Sequence, residues 1–176
     1  TSPNNVLGVE ISDLGDDKEG YRWNFLIKNQ RLRDDYRQII ELGKILSLVG
    51  SENGSELDQR SREVMDVDAW SRTFAYMVLG GIGDSYVNGG LHNIQFYVRP
   101  QDHRVVPLPW DQDGTFNTPG NAALFGSNHF RKVMEIPHNL HFYYGHLHDM
   151  VSTTFNVEYL KPWIAHYAKF LRLEET

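Results

Sequence analysis

The amino-acid sequence predicts a mainly helical α+β domain that spans residues 1–176. Two patterns lead to this fold class. Apolar residues recur with the three-and-four spacing of a buried helix face in well-separated segments, and they alternate in one pair of short segments, as in a β-hairpin. A chain of 176 residues with 40% hydrophobic composition is large enough to bury a core and suits one domain.

Residues 1–30 are expected to be irregular with short strands. Asn, Gly, Asp and Ser are frequent here, which is typical of loops. The alternation over Val6–Ile11 predicts one edge strand, and Tyr21–Ile27 is its expected partner.

Residues 31–90 are expected to contain helices and then a catalytic loop. Helical spacing of apolar residues runs over 36–49, and a short polar helix is expected over 56–62. A further helix carries its apolar face over 67–78, and Asp66 is its expected N-cap.

A glycine-rich run at 80–83 ends that helix and leads into the loop 84–90. Exposed functional groups are expected in this loop, because loops held by rigid elements often carry chemistry. Residues 91–113 are predicted to form a hairpin, with strands over 91–98 and 104–108.

Residues 128–173 are expected to be helical. Helices are predicted over 128–135 and 140–152, followed by a last helix with Asn156 as candidate cap and Pro162 tolerated only in its first turn. One apolar stripe marks this last helix: Leu160, Trp163, Ile164, Tyr167, Ala168 and Leu171.

Composition excludes several classes of function. The net charge of −6 and the scattered Lys and Arg residues argue against a nucleic-acid-binding surface. The absence of Cys excludes disulfide frameworks, thiolate metal sites and cysteine nucleophiles, while leaving the compartment open. No apolar run has the length of a membrane span. Residue 1 is Thr, so we expect a processed chain or a piece of a longer protein.

Three oxygen-bearing side chains occur in an order that suits phosphoryl transfer. Asp84 lies in the predicted loop, Asn93 begins the hairpin and Asp111 follows it. Carboxylate and amide oxygens are suitable ligands for Mg²⁺ or Mn²⁺. Protein kinases use a loop Asp, a following Asn and a later Asp for this chemistry. The order alone is a weak signal, because Asp and Asn are common in loops.

Four blocks of the sequence together resemble the spore-coat CotH kinase family, a group of atypical protein kinases. They are Met65-Asp66-Val67-Asp68-Ala69-Trp70, Gly83-Asp84-Ser85, His92-Asn93 with Phe96-Tyr97, and Leu108-Pro109-Trp110-Asp111-Gln112-Asp113. The Pro-Trp-Asp-x-Asp block with the upstream His-Asn strand is the most specific part. The resemblance covers residues 60–173 and implies a protein-kinase-like C-terminal lobe whose hairpin carries the metal site.

The resemblance also implies roles for individual residues. Asp84 is the expected catalytic carboxylate that orients the substrate hydroxyl, while Asn93 and Asp111 bind the divalent metal on ATP. Asp113 is a further candidate metal ligand. Asn88 is the alternative amide ligand, because Asp84 and Asn93 are nine positions apart, whereas the kinase motif separates the two residues by about five.

The implied reaction is Mg²⁺- or Mn²⁺-dependent transfer of the ATP γ-phosphate to a Ser or Thr hydroxyl of a protein substrate. A bacterial spore coat, the cell surface or secretion is the implied location. Lys28 does not lie in a glycine-loop-plus-strand context. We therefore expect this chain to be the C-terminal part of the kinase domain without its nucleotide lobe. His92 and Trp110 are expected to be supports, a satisfied histidine and a packed core aromatic.

Three other interpretations of the sequence compete with phosphoryl transfer. Asp111-Gln112-Asp113-Gly114 begins like a calcium loop, but Phe116 and Ala122 occupy positions where an EF-hand needs Gly and Glu, which leaves only a looser calcium site. His146 and His148 could bind zinc with Asp149, although they face different sides of a helix. The second function class is a non-catalytic, metal-stabilised pseudokinase or interaction module.

Overall fold

The computed structural model describes residues 8–48, 54–88, 90–125 and 129–171. Within these ranges the chain forms helices and one two-stranded antiparallel sheet, so the mainly helical α+β class is confirmed. The elements are α1 (Glu19–Arg22), a 3-10 turn (Arg31–Arg33), α2 (Arg37–Ser47), α3 (Gly54–Val64), α4 (Val67–Leu79), a second 3-10 turn (Tyr86–Asn88), β1 (Ile94–Val98), β2 (Val105–Pro109), α5 (Arg131–Met134), α6 (Pro137–Thr153) and α7 (Val157–Leu171). None of the described helices is long and apolar enough to cross a bilayer.

Helix α4 lies at the centre of the core and packs against α6 and β2. Its apolar face buries Trp70 and Phe74, and the Trp70 indole N–H donates to the carbonyl of Val105 at 2.8 Å. Burial of a side chain such as that of Phe74 stabilises the fold by roughly 1.5–3 kcal/mol. The Asp66 carboxylate accepts from the Ala69 N–H at 3.1 Å. The predicted helix and its N-cap are therefore confirmed.

Helices α2 and α3 pack together and contribute side chains to the same core. Ile45 and Leu46 of α2 and Leu57 of α3 are buried, as the helical spacing predicted. The Lys132 ammonium donates to the carbonyls of Leu46 (2.6 Å) and Leu48 (2.7 Å) at the end of α2. These bonds satisfy carbonyls that a helix end leaves unpaired. Burial lowers the pKa of Lys132.

The strand pair predicted near the N-terminus is wrong over the described residues. Residues 21 and 22 end helix α1, turns and a bend follow over 23–25, and residues 8–11 have no regular secondary structure. The Asp17 carboxylate accepts from the Glu19 N–H at 3.0 Å just before α1. Tyr21 is fully buried, and its hydroxyl accepts from the Leu14 N–H at 2.8 Å. Val6, Leu7, Val49, Asn128 and residues 172–173, all parts of predicted elements, lie outside the described residues.

The hairpin forms as predicted, with Ile94 opposite Pro109 and Val98 opposite Val105. Arg99, just after β1, ties the closed end to helix α4 through a 2.7 Å ion pair with Asp66. The first strand begins three residues later than predicted. Residues Leu91 and Asn93 have positive φ, 51° and 59°, and this conformation interrupts an extended strand.

The predicted C-terminal helices are present as α5, α6 and α7. The Asn156 carboxamide accepts from the Tyr159 N–H at 2.9 Å, so the predicted cap of α7 is confirmed. Pro162 lies inside α7, beyond the first turn to which it was expected to be confined. The apolar stripe of α7 is not buried by the described residues: Trp163 is 49% exposed and Ile164 is 65% exposed.

Candidate functional site

Asp84 lies in the tight loop that follows helix α4. Gly81 has φ of 58°, which turns the chain directly after the helix. The Ser85 hydroxyl donates to the Ile82 carbonyl at 2.8 Å, and the 3-10 turn that begins at Tyr86 continues the loop. The Tyr86 ring is buried beneath it, and burial raises the pKa of the Tyr86 hydroxyl. The loop is therefore anchored on both sides of Asp84.

The Asp84 carboxylate is held by Asn93. The Asn93 amide donates to Asp84 Oδ2 at 2.8 Å and approaches the Asp84 carbonyl oxygen at 3.4 Å. Asn93 has a left-handed backbone conformation with φ of 59°, which Asn adopts more readily than most residues. The structure thus brings together two of the three residues expected to form the phosphoryl-transfer site.

A main-chain hydrogen bond connects the open end of the hairpin to the Asp84–Asn93 pair. The Trp110 N–H donates to the Asn93 carbonyl at 3.2 Å, one position beyond the last strand pair. Asp111 follows directly, with φ of 52°, and its side chain is exposed. Asp113 is exposed as well. The two hairpin carboxylates therefore face solvent, whereas Asp84 is half-buried.

The segment after Asp113 returns over the loop that carries Asp84. The Gly83 N–H donates to the Gly114 carbonyl at 3.2 Å, and the Phe116 N–H donates to the Gly80 carbonyl at 2.7 Å. The Asn117 N–H donates to the Gly81 carbonyl at 2.9 Å. Main-chain hydrogen bonds therefore hold residues 114–117 against the end of helix α4 and the start of the loop.

A cleft of about 630 Å³ opens beside Asp84. Its lining includes Asn88, Asn117, Thr118 and Phe125, and its volume lies within the range of small-molecule sites. Asn88 donates to the Ile82 carbonyl at 2.7 Å and approaches the Thr118 hydroxyl at 3.4 Å. The structure therefore places Asn88 in the cleft wall and Asn93 against Asp84.

The metal-binding capacity of the site rests on few side chains. Among residues 8–48, 54–88, 90–125 and 129–171, no group of three or more His, Cys, Asp or Glu is arranged to hold a metal ion. Amide oxygens are further ligands that Mg²⁺ accepts in proteins. Asp84 Oδ1 is buried and has no hydrogen-bond partner among the described residues. A buried carboxylate oxygen without a donor is unfavourable, so this atom suits a cation or a hydroxyl of a bound molecule.

One of the two supporting roles turns out differently from expectation. Trp110 was expected to be a packed core aromatic, but it is 57% exposed, because it lies beyond the last strand pair at the open end of the hairpin. His92 is half-buried beside Asn93. Lys28 is exposed in the irregular segment between α1 and the first 3-10 turn.

The histidines of helix α6 contact carboxylates of neighbouring helices. His146 Nε2 lies 2.8 Å from Asp68 Oδ1, and His138 Nε2 lies 3.0 Å from Asp58 Oδ1. These pairs link α6 to α4 and α3, while His148 is exposed. The arrangement gives no support to a zinc site.

Asn117 and Thr118 were not expected in the site. The signal available in the sequence was the run Asn117-Thr118-Pro119-Gly120, which is typical of a turn. A turn signal does not say which distant loop the turn contacts. Their place in the cleft wall depends on hydrogen bonds from both backbone N–H groups to the carbonyl of Gly81, more than thirty positions earlier in the chain.

A family model described as CotH kinase protein matches residues 9–175. The chain belongs to the CotH kinase family. The match includes the loop with Asp84, the hairpin and the returning segment, so the resemblance stated from the four sequence blocks is confirmed. Comparisons with curated proteins and with solved structures gave no match.

Proposed function

We propose that this CotH family member takes part in phosphoryl transfer from ATP to a Ser or Thr hydroxyl of a protein. The observation that carries the proposal is the 2.8 Å hydrogen bond from Asn93 to Asp84 Oδ2, made in a loop anchored at both ends. This bond holds the carboxylate in one orientation. Preorganised groups of this kind lower the barrier because they need not reorganise during the reaction.

Asp84 is the proposed catalytic carboxylate. One of its oxygens accepts from Asn93, and the other has no partner among the described residues. This second oxygen, Oδ1, is buried against Gly114, so a substrate hydroxyl reaches it only after a small shift of the carboxylate or of the segment at Gly114. Oδ1 would then accept the proton of that hydroxyl and aim it at the γ-phosphate. The cleft beside Asp84 gives the reacting groups room.

Asn93 and Asp111 are the proposed ligands of a divalent metal, with Asp113 as the further carboxylate. The small number of protein ligands is compatible with Mg²⁺, which is usually held by one or two carboxylates together with substrate phosphates. Mg²⁺ or Mn²⁺ neutralises charge that develops on the transferred phosphate. Asn88 remains the alternative amide ligand because it lines the same cleft as Asp84.

A second candidate function is a non-catalytic interaction module. The exposed apolar stripe on α7 favours it, because an amphipathic helix gains most of its stability from packing.

Titration calorimetry separates the two candidates. For a phosphoryl-transfer site we expect Mg-ATP to bind more tightly than Mg²⁺ alone, and we expect Asp111→Ala to remove the difference. Equal heats for Mg-ATP and Mg²⁺ would rule out autonomous kinase action of this chain. The same titration on the full-length protein tests whether further residues complete the site.

A further inference from the structure

Gly114 lies against the carboxylate of Asp84. A Cβ atom built on Gly114 would lie 2.6 Å from Asp84 Oδ1, closer than real side chains approach an oxygen. The other carboxylate oxygen is held by Asn93 at 2.8 Å. The carboxylate therefore has Asn93 on one side and the bare Cα of Gly114 on the other.

The backbone at Gly114 does not itself require glycine. Gly81 in the facing loop has φ of +58°, a conformation that strains other residues, whereas the φ of Gly114 is outside the left-handed region. The Gly114 carbonyl accepts from the Gly83 N–H at 3.2 Å, so its main chain is tied to the loop that carries Asp84. The space next to Asp84 is then the physical reason for glycine at this position.

Gly90 touches the same residue in a different way. A Cβ atom on Gly90 would meet the Asp84 main chain, at 2.6 Å from both the carbonyl carbon and the carbonyl oxygen. A side chain there would displace the loop itself. Gly114 differs because its contact is with the carboxylate.

We propose that Gly114 is a positioning residue, whose missing side chain allows Asp84 to keep the orientation set by Asn93. The proposal rests on the proposed function in one respect, that Asp84 is the reacting carboxylate. It gives the segment after Asp113 a task in the site: the segment closes one side of the carboxylate and excludes rotamers that leave Asn93.

The direct test is Gly114→Ala, with Gly120→Ala as its matched control. Gly120 lies in the same loop, and a Cβ atom there meets nothing within 4 Å. To move from 2.6 Å to ordinary contact at 3.4 Å, the carboxylate must shift by about 0.8 Å, and a misplacement of about 1 Å costs catalysis roughly 100-fold. We expect kcat to fall by about that factor while KM for ATP stays unchanged. Gly120→Ala should match the wild type.

A second readout does not depend on activity. The NMR resonances of the Asn93 side-chain amide should shift in Gly114→Ala, because the hydrogen bond from this amide to Asp84 is lost or lengthened. In Gly120→Ala these resonances should be unchanged. If the wild type transfers no phosphate but this amide moves as expected, the proposed function fails and the positioning role stands. Identical chemical shifts of the Asn93 amide in the two variants would overturn the positioning role.

A double-mutant cycle covers the case in which Gly114→Ala folds poorly. In the Asp84→Ala background the added methyl has no carboxylate to displace, so Gly114→Ala should have no effect on the melting temperature there. An equal loss of melting temperature in both backgrounds would place the clash elsewhere and overturn the proposal.

Discussion

Asp84 and Asp111, the two carboxylates central to the site, have opposite surroundings. Asp84 is half-buried in an anchored loop, and Asn93 fixes one of its oxygens at 2.8 Å. Asp111 is exposed at the open end of the hairpin. The chain itself therefore orients the proposed catalytic carboxylate, whereas the proposed metal ligand is left for a bound ion and nucleotide to orient.

The difference has a general physical meaning. A group held by packing and hydrogen bonds loses little entropy in the reaction, and its removal disturbs its neighbours. An exposed group loses conformational entropy when its ligand binds, and its removal leaves the fold intact. Substitutions in the Asp84–Asn93 pair and at Asp111 should therefore differ in their effects on stability as well as on activity.

Asp111→Ala should have a large effect on transfer and only a modest one on stability. Loss of a metal ligand removes several kcal/mol of transition-state stabilisation, which corresponds to a fall of about 10³-fold in rate. The free energy of unfolding should fall by only about 1–2 kcal/mol, because Ala is strained at φ of 52° while the exposed side chain itself makes little contribution to stability. Radiolabelled ATP with a Ser-rich acceptor and the full-length protein measures the transfer. Undiminished labelling would move the metal role to Asp113 or discard the mechanism.

Asn93→Ala should affect both properties. Removal of the amide leaves Asp84 Oδ2 without its donor, which costs about 1–3 kcal/mol for a buried group, and we expect turnover to fall roughly 10- to 100-fold. Ala is also strained at φ of 59°.

Asn93→Gly is the matched control, because it removes the amide and tolerates the left-handed backbone. It should lose as much turnover as Asn93→Ala, but it should unfold at a higher denaturant concentration than Asn93→Ala does. If Asn93→Gly retained full turnover, the Asn93 side chain would have no role in the reaction, and Asn88 would become the preferred amide ligand.

The smallest effect is expected at the closed end of the hairpin. The Arg99 guanidinium lowers the pKa of Asp102 to about 2 by donating to its carboxylate. Since the folded pKa lies below the unfolded value of about 3.9, the contribution to stability is present above pH 4 and is lost as the pH falls towards 2. Arg99→Met should flatten this part of the thermal-midpoint curve and leave transfer at neutral pH unchanged. An identical acid slope in both proteins would contradict this account of the pair.

Helices α4 and α7 show how far periodicity predicts a fold. Both carry a regular apolar face, and both were predicted as helices from it. The face of α4 is buried, with Trp70 fully inaccessible, while Trp163 on α7 is half exposed. Spacing reports that a helix has an apolar face, but it does not report what covers that face.

The site shows a similar limit. The order of Asp84, Asn93 and Asp111 was visible in the sequence, and so was the ambiguity between Asn93 and Asn88. Which amide meets Asp84 depends on the left-handed conformation at Asn93, which places its side chain beside the loop. The contact between Gly114 and Asp84 spans thirty positions of the chain and has no local signal.

The central claim is that Asp84 acts on the substrate hydroxyl and does not bind the nucleotide. Asp84→Asn in the full-length protein tests it most directly, with phosphate transfer and Mg-ATP affinity measured on the same preparation. We expect turnover to fall by roughly 10²- to 10⁴-fold, the usual contribution of a positioned acid or base, while the affinity for Mg-ATP is kept. A loss of Mg-ATP affinity, or turnover equal to the wild type, would contradict the claim.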